Sequence, residues 1–192
     1  MAFGTRNSIV TGILEALRKD DITSVGVHIM PGIGKTTLVK EVARQALEEN
    51  LFKDAIEVTV SESPNLEKVQ QDLANGLHLL FQDQDGVKER SDRLRCRLGK
   101  EEKLLLILDD VWKKLDLHAI GIDFDQDHQK GCKILLTSRN QDVFQDDMEV
   151  KVENNFKIEP LSKSESRTCF SKLVMICYLT MIWNNVHAYR LR

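Results

Sequence analysis

The chain has 192 residues, of which 42% are hydrophobic and 30% charged, values typical of a globular domain that exclude the disordered and fibrous classes. With 27 Lys and Arg against 30 Asp and Glu, the net charge of −3 excludes a global positive field that would recruit nucleic acid or an anionic membrane. Four scattered cysteines form no disulfide framework, and the N-terminus lacks the apolar core of a secretory signal, so we expect free thiols in a cytoplasmic setting. The apolar residues 173–183 are fewer than the about 20 that a transmembrane segment needs.

Short β-rich segments alternate with helical periods along the chain, a pattern typical of a parallel sheet with crossover helices. We therefore predict a doubly wound α/β domain with helices on both faces of the sheet. In chain order we predict a helix over residues 8–19, a strand over 24–30, a helix over 35–50, a strand over 55–60, a helix from Leu66, a helix over 87–98, a strand over 104–108, a short helix over 112–117, strands over 132–137 and 156–158, and a final helix from Ser162.

The strongest local signal lies between the first strand and the second helix, where residues 31–37 read PGIGKTT. In a phosphate-binding loop, backbone N–H groups of a glycine-containing turn and the positive end of the next helix bind phosphate oxygens, a lysine adds charge, and a hydroxyl binds Mg²⁺. We therefore predict such a loop, with Thr36 as the Mg²⁺ ligand, formed by Gly32, Ile33, Gly34, Lys35, Thr36 and Thr37.

The loop departs from the pattern G-x-x-x-x-G-K-[ST] at its first position, where Ile29 replaces glycine. If that position requires a positive φ, a β-branched residue there costs about 1–2 kcal/mol or reshapes the loop. The nucleotide affinity would then fall tenfold or more.

A run of aliphatic residues over 104–108 is typical of a strand buried on both faces, and two carboxylates, Asp109 and Asp110, follow it. We expect Asp109 to hold Mg²⁺ through water and Asp110 to act as the catalytic residue that polarises an attacking water. Arg139, after the strand over 132–137, is a candidate for contacting the γ-phosphate at the same sheet edge. The alternatives are a charged strand end and an ordinary surface arginine.

Other arrangements of charged or metal-ligating residues do not match a functional pattern. The arginines of the helix over 87–98 alternate with Glu89 and Asp92, which indicates a solvated helix face rather than a nucleic-acid patch. The aspartates over 123–127 lack the glycine and glutamate of a calcium loop, and the five histidines lack zinc-ligand spacing.

In the order of its motifs the chain resembles the nucleotide-binding part of the NB-ARC domain of plant disease-resistance proteins, the coiled-coil class of NLR receptors. The resemblance covers about residues 3–170 and leaves 171–192 as an unmatched apolar tail, so it suggests a truncated NB-ARC domain. It rests on VGVHIMPGIGKTTLV at 25–39, AIEVTVS at 55–61, KLLLILDDVW at 103–112, GCKILLTSRN at 131–140 and FKIEPLSKSES at 156–166.

The resemblance implies a P-loop NTPase fold with a five-stranded parallel sheet, in which the strand over 132–137 lies between those over 24–30 and 104–108. It also implies ADP or ATP as ligand, with Mg²⁺, and other receptor domains or proteins as partners. The nucleotide positions of the family fall on Lys35, Thr36, Thr37, Asp109, Asp110 and Arg139.

Three hypotheses about function stay open. The first is an ADP- or ATP-binding module of a plant immune receptor with at most slow ATP hydrolysis, since no second arginine is assigned as a finger on the transition state. The second is a degenerate module that binds no nucleotide and acts by protein contacts, which Ile29 and the tail favour. The third is a small P-loop kinase, for which the chain shows no candidate lid.

Overall fold

Aliphatic segments form the strands and amphipathic segments form the helices of the computed structural model, which describes residues 4–30, 35–113, 115–123, 131–140, 142–144 and 154–158. These residues belong to one compact unit that ends at Ile158. Within them, no helix combines the length and apolar character needed to cross a bilayer. The elements are α1 (Gly4–Arg18), β1 (Ser24–Ile29), α2 (Lys35–Glu48), β2 (Asp54–Thr59), α3 (Leu66–Gly76), α4 (Val87–Leu98), β3 (Leu104–Val111), α5 (Leu117–Ile120), β4 (Lys133–Ser138) and β5 (Asn155–Ile158).

The five strands form one sheet in the order β2-β3-β4-β1-β5, and every pair of neighbours is parallel. Strand β4 therefore lies between β1 and β3, as the family resemblance implies. Because all strands point the same way, their carboxyl ends meet at one edge of the sheet. That edge receives the end of β1, where the predicted phosphate loop begins, and the ends of β3 and β4.

Helices cover both faces of the sheet, which confirms the predicted doubly wound α/β architecture. Helices α1 and α2 pack on one face and α3, α4 and α5 on the other. Strand β3 is buried from both sides, since alternate residues enter the two cores: Leu105 and Ile107 pack toward α1 and α2, whereas Leu104, Leu106 and Leu108 pack toward α3 and α4. The uninterrupted aliphatic run is thus explained by a strand with no solvated face.

The predicted end of the third strand is wrong. Strand β3 does not stop at Leu108 but continues through Asp109 and Asp110 to Val111. Its pairing with β4 shifts register between Leu108 and Val111, so the strand continues past an irregularity that hydrophobic periodicity does not reveal.

The predicted short helix over residues 112–117 is also wrong, because the helix α5 occupies Leu117–Ile120. Its start is set by Asp116, whose Oδ1 accepts a hydrogen bond from the N–H of Ala119 at 2.9 Å. Its end is set by Gly121, which has a φ of +102°. The predicted final helix from Ser162 and the tail over 171–192 lie outside the described residues.

Candidate functional site

The first turn of α2 lies at the carboxyl edge of the sheet and carries the end of the predicted phosphate loop. Lys35 is the first residue of α2, and the exposed Thr36 and Thr37 follow it. The free N–H groups of a helix N-terminus favour anions, so this edge suits a phosphate group. The remaining predicted loop residues lie outside the described residues: Gly32, Ile33 and Gly34.

The predicted Mg²⁺ ligands come together across this edge. Thr36 Oγ1 lies 3.4 Å from Asp109 Oδ2, although the two residues belong to α2 and β3. Asp109 is only 4% exposed, and a carboxylate buried to this extent needs hydrogen-bonding or ionic partners. A hydroxyl and a carboxylate are hard oxygen donors of the kind that Mg²⁺ binds together with phosphate oxygens, so these residues fit the ion.

A buried threonine of β4, which the sequence analysis did not identify, holds both aspartates. Thr137 Oγ1 donates to Asp109 Oδ1 at 2.5 Å and accepts from the N–H of Asp110 at 2.9 Å. The first contact has the short distance of a charge-assisted O–H···O⁻ bond. Thr137 has no exposed surface, and a polar residue in the aliphatic segment KILLTS was the signal that could have found it.

Asp109 and Asp110 lie at a β-bulge in β3. Leu108 pairs with Leu136 and Val111 with Ser138. Between these two pairs β3 advances three residues and β4 only two, so β3 contains one extra residue. The extra residue is accommodated at Asp110, whose φ is +64°. Aspartate tolerates this left-handed conformation better than most residues, at a cost of about 1 kcal/mol.

Arg139 and Asp110 form an ion pair at the exposed side of the edge. Arg139 Nε donates to Asp110 Oδ1 at 3.1 Å and Nη2 donates to Oδ2 at 3.2 Å, a two-point geometry that fixes the guanidinium plane. The ring of Trp112 lies under this cation, with its centroid 4.5 Å from Arg139 Cζ. The sequence motifs predict Asp110 and Arg139 as site residues but indicate neither their pairing nor a role for Trp112.

The main chain of Arg139 is also fixed. His28 Nε2 lies 2.9 Å from the carbonyl oxygen of Arg139 and donates to it. His28 belongs to β1, the strand that leads into the predicted phosphate loop. The residue that follows β4 is therefore tied to the strand that precedes the loop.

Three of the four arginines of α4 pair with acidic side chains, in agreement with the interpretation of this helix as a mixed-charge face. The fourth, Arg90, donates to the backbone carbonyl of Asp85 at 3.0 Å. None of these pairs includes a predicted site residue. The pairs are Arg93 with Asp85, Arg95 with Asp92 and Arg97 with Glu101.

The two cysteines in the described part of the chain are free thiols. Cys96 is exposed, whereas Cys132 is buried at the amino end of β4. Burial raises the pKa of the Cys132 thiol above its ordinary value, which keeps this group protonated and unreactive.

Comparison with solved structures confirms the predicted P-loop NTPase fold. Cdc6p of Pyrobaculum aerophilum is similar over 85% of this chain and 48% of its own, with a TM-score of 0.64 and 14% sequence identity. The ORC2 protein of Aeropyrum pernix is similar over 81% of this chain and 46% of its own, with a TM-score of 0.54 and 19% identity. At such low identity the likeness concerns the fold alone.

Sequence relatives define the family. The disease resistance proteins UNI and SUMM2 of Arabidopsis thaliana are each 36% identical to this chain, over 131 and 130 residues respectively. Each match covers 66% of this chain and only 14% of the relative, so the chain spans a small part of the length of these proteins. A probable disease resistance protein of the same plant is 37% identical over 131 residues. The model of the NB-ARC domain matches residues 6–178, and the chain therefore belongs to the NB-ARC family.

Proposed function

We propose that this chain is the adenine-nucleotide-binding module of an NLR-type plant disease-resistance protein, working in the cytoplasm as part of a defence response. It binds ADP or ATP with Mg²⁺ and hydrolyses ATP at most slowly. Residues 1–170 form the nucleotide-binding unit, and other receptor domains are its partners.

The observation that carries the proposal is the approach of Thr36 to Asp109. The helix that begins at the phosphate-loop motif and the strand that carries the paired carboxylates are separated by many residues in sequence. The fold nevertheless brings Thr36 Oγ1 within 3.4 Å of Asp109 Oδ2. This convergence of a P-loop hydroxyl and a carboxylate at a helix N-terminus is the arrangement that binding of a metal-phosphate group requires.

Each site residue then has a physical role. The N–H groups of residues 32–37 and the start of α2 bind phosphate oxygens, and Lys35 adds a positive charge. Thr36 and Asp109 hold Mg²⁺, which when bound neutralises charge on the phosphate oxygens. Arg139 contacts the γ-phosphate of ATP, and Asp110 orients the attacking water.

The solved structures of similar fold support an adenine nucleotide as the ligand. The Aeropyrum pernix ORC2 protein is described in complexes with ADPNP and ADP. The DnaA protein of Aquifex aeolicus, with a TM-score of 0.51 and 18% identity, is described bound to AMPPCP.

Slow hydrolysis follows from the ion pair between Asp110 and Arg139. Both carboxylate oxygens of Asp110 accept hydrogen bonds from the guanidinium, so the carboxylate is already engaged and is less available to orient an attacking water. An efficient hydrolase also needs further cations on the transition state. We therefore expect turnover far below the about 1–100 s⁻¹ typical of kinases.

Calorimetric titration of the whole chain with ADP and with ATP, each with Mg²⁺, tests the proposal. We expect binding of both nucleotides with micromolar dissociation constants. A chain that is folded by circular dichroism yet binds neither nucleotide would contradict the proposal and favour a module that acts by protein contacts alone.

The position of Ile29 removes the main argument for a degenerate module. Ile29 is the last residue of β1, and it pairs with Ile158 in the parallel ladder with β5. A residue in such a ladder has an extended backbone, which β-branched side chains favour. The condition under which Ile29 would strain the loop, a positive φ, is therefore not met.

We expect Ile29→Gly to leave the ADP affinity within about threefold of the original. The same substitution should lower the free energy of unfolding by about 1 kcal/mol, because glycine loses more backbone entropy in a strand. Calorimetry and thermal unfolding measure the two effects, and Ile29→Val, which keeps the branched side chain, is the control. Nucleotide binding gained only in Ile29→Gly would instead show that the isoleucine blocks the site.

A further inference from the structure

We propose that Trp112 is a positioning residue for Arg139: it holds the guanidinium at the carboxyl edge of the sheet and so sets how much the γ-phosphate adds to the binding of a nucleoside triphosphate. This inference rests on the proposed nucleotide-binding function. In the proposed function Trp112 makes no contact with the nucleotide. Through Arg139 it would nevertheless control how the site responds to the γ-phosphate.

Two neighbours restrain the Arg139 guanidinium in complementary directions. Asp110 binds its edge through Nε and Nη2 at 3.1 and 3.2 Å. Trp112 covers its face, with 4.5 Å between Cζ and the ring centroid, well within the about 6 Å range of a cation–π contact. The Arg139 side chain is still 40% exposed, so the cation is held in place and accessible to an anion.

The β-bulge is what brings the tryptophan to the arginine. The observed pairing of Val111 with Ser138 makes residues 112 and 139 the next neighbours across the two strands. Without the bulge, the register set by the pairing of Leu108 with Leu136 would place residue 111 beside Arg139. Trp112 would then lie one residue beyond the arginine. The left-handed backbone of Asp110, φ +64°, thus serves to place an aromatic face under a cation.

Because the main chain of Arg139 is fixed, the position of its guanidinium depends on the contacts of its side chain. His28 fixes the carbonyl of Arg139 from β1 at 2.9 Å, so the start of the arginine side chain cannot move far. What stays adjustable is the long, flexible part of the side chain, which carries much rotamer entropy. Stacking on Trp112 removes that freedom before an anion binds, and preorganisation of this kind raises affinity.

The inference predicts a selective effect on ATP. We expect Trp112→Ala to weaken binding of ATP about fivefold and binding of ADP less than twofold, because only ATP carries the γ-phosphate that Arg139 contacts. Trp112→Phe keeps an aromatic face and should restore most of the ATP affinity. A purely structural role for Trp112 would change the two affinities alike.

The closing experiment is a calorimetric double-mutant cycle on the whole chain, with Mg²⁺ and either nucleotide. If Trp112 acts through Arg139, Trp112→Ala in an Arg139→Ala background should change the ratio of ATP to ADP affinity no further. The matched control is Phe81→Ala, which removes the other described cation–π contact, between Arg90 and Phe81 at 5.1 Å, and should leave that ratio unchanged.

The outcomes separate the inference from the proposed function. Equal weakening of ATP and ADP by Trp112→Ala, or a full fivefold effect in the absence of Arg139, would overturn the role of Trp112 while nucleotide binding itself stands. Failure of the original chain to bind either nucleotide would overturn the proposed function, and the inference with it.

Discussion

Replacement of Lys35 by alanine is expected to lower the affinity of the chain for both ADP and ATP about 100-fold. Lys35 opens α2 at the carboxyl edge of the sheet, where the phosphate groups are proposed to bind. Removing one partner of a hydrogen-bonded charge pair costs about 2–5 kcal/mol, and 100-fold corresponds to about 2.7 kcal/mol. Calorimetric titration of the variant measures the loss directly.

The control for this variant is Lys40→Ala on the same helix. Lys40 is exposed and lies more than one turn from the start of α2, so its removal changes the net charge equally without touching the site. We expect its nucleotide affinities to match those of the original chain. Similar losses in both variants would mean that Lys35 acts only through net charge, and the assignment of the phosphate loop would fail.

Replacement of Leu106 by alanine is expected to lower the free energy of unfolding by about 3 kcal/mol. Leu106 is 1% exposed and lies in β3, opposite Ile56 on one side and Ile134 on the other. Leucine-to-alanine changes at such sites cost about 2–5 kcal/mol, because the lost transfer energy adds to that of the cavity. For a domain of this size the unfolding midpoint should fall by roughly 6–12 °C.

Leu80→Ala is the matched control, since it makes the same chemical change at a side chain that is 85% exposed. We expect its free energy of unfolding to stay within about 0.5 kcal/mol of the original. Thermal and urea unfolding of both variants test the comparison. If both leucines cost the same, β3 would not be a strand buried on both faces.

Most of the fold follows from local hydrophobic patterns. The run over residues 104–108 has no polar position, and such a run predicts a strand covered on both faces, as β3 is. The helix over 87–98 was predicted with the bounds that α4 has. The strand order, by contrast, depends on contacts between distant residues, and it came from the family resemblance rather than from periodicity.

The bulge and its consequences could not be predicted from the sequence. A bulge adds one residue to one strand of a pair, so it is a property of the register between β3 and β4 and leaves no periodic trace in either strand. For the same reason, the ion pair of Asp110 with Arg139 and the position of Trp112 escaped prediction. The sequence predicts which residue types form the site. Which of these residues contact one another depends on a one-residue shift in the register between β3 and β4.

Hydrogen–deuterium exchange of the whole chain, with and without ADP and Mg²⁺, tests most directly that the carboxyl edge of the sheet binds an adenine nucleotide. The result we predict is slower exchange on ligand addition in peptides that cover residues 30–37, 109–112 and 138–140. Amides of residues 19–23 and 99–103, which precede β1 and β3 at the opposite, amino edge of the sheet, should exchange at unchanged rates. Protection confined to residues 19–23 and 99–103, or no protection at nucleotide concentrations well above micromolar, would contradict the claim.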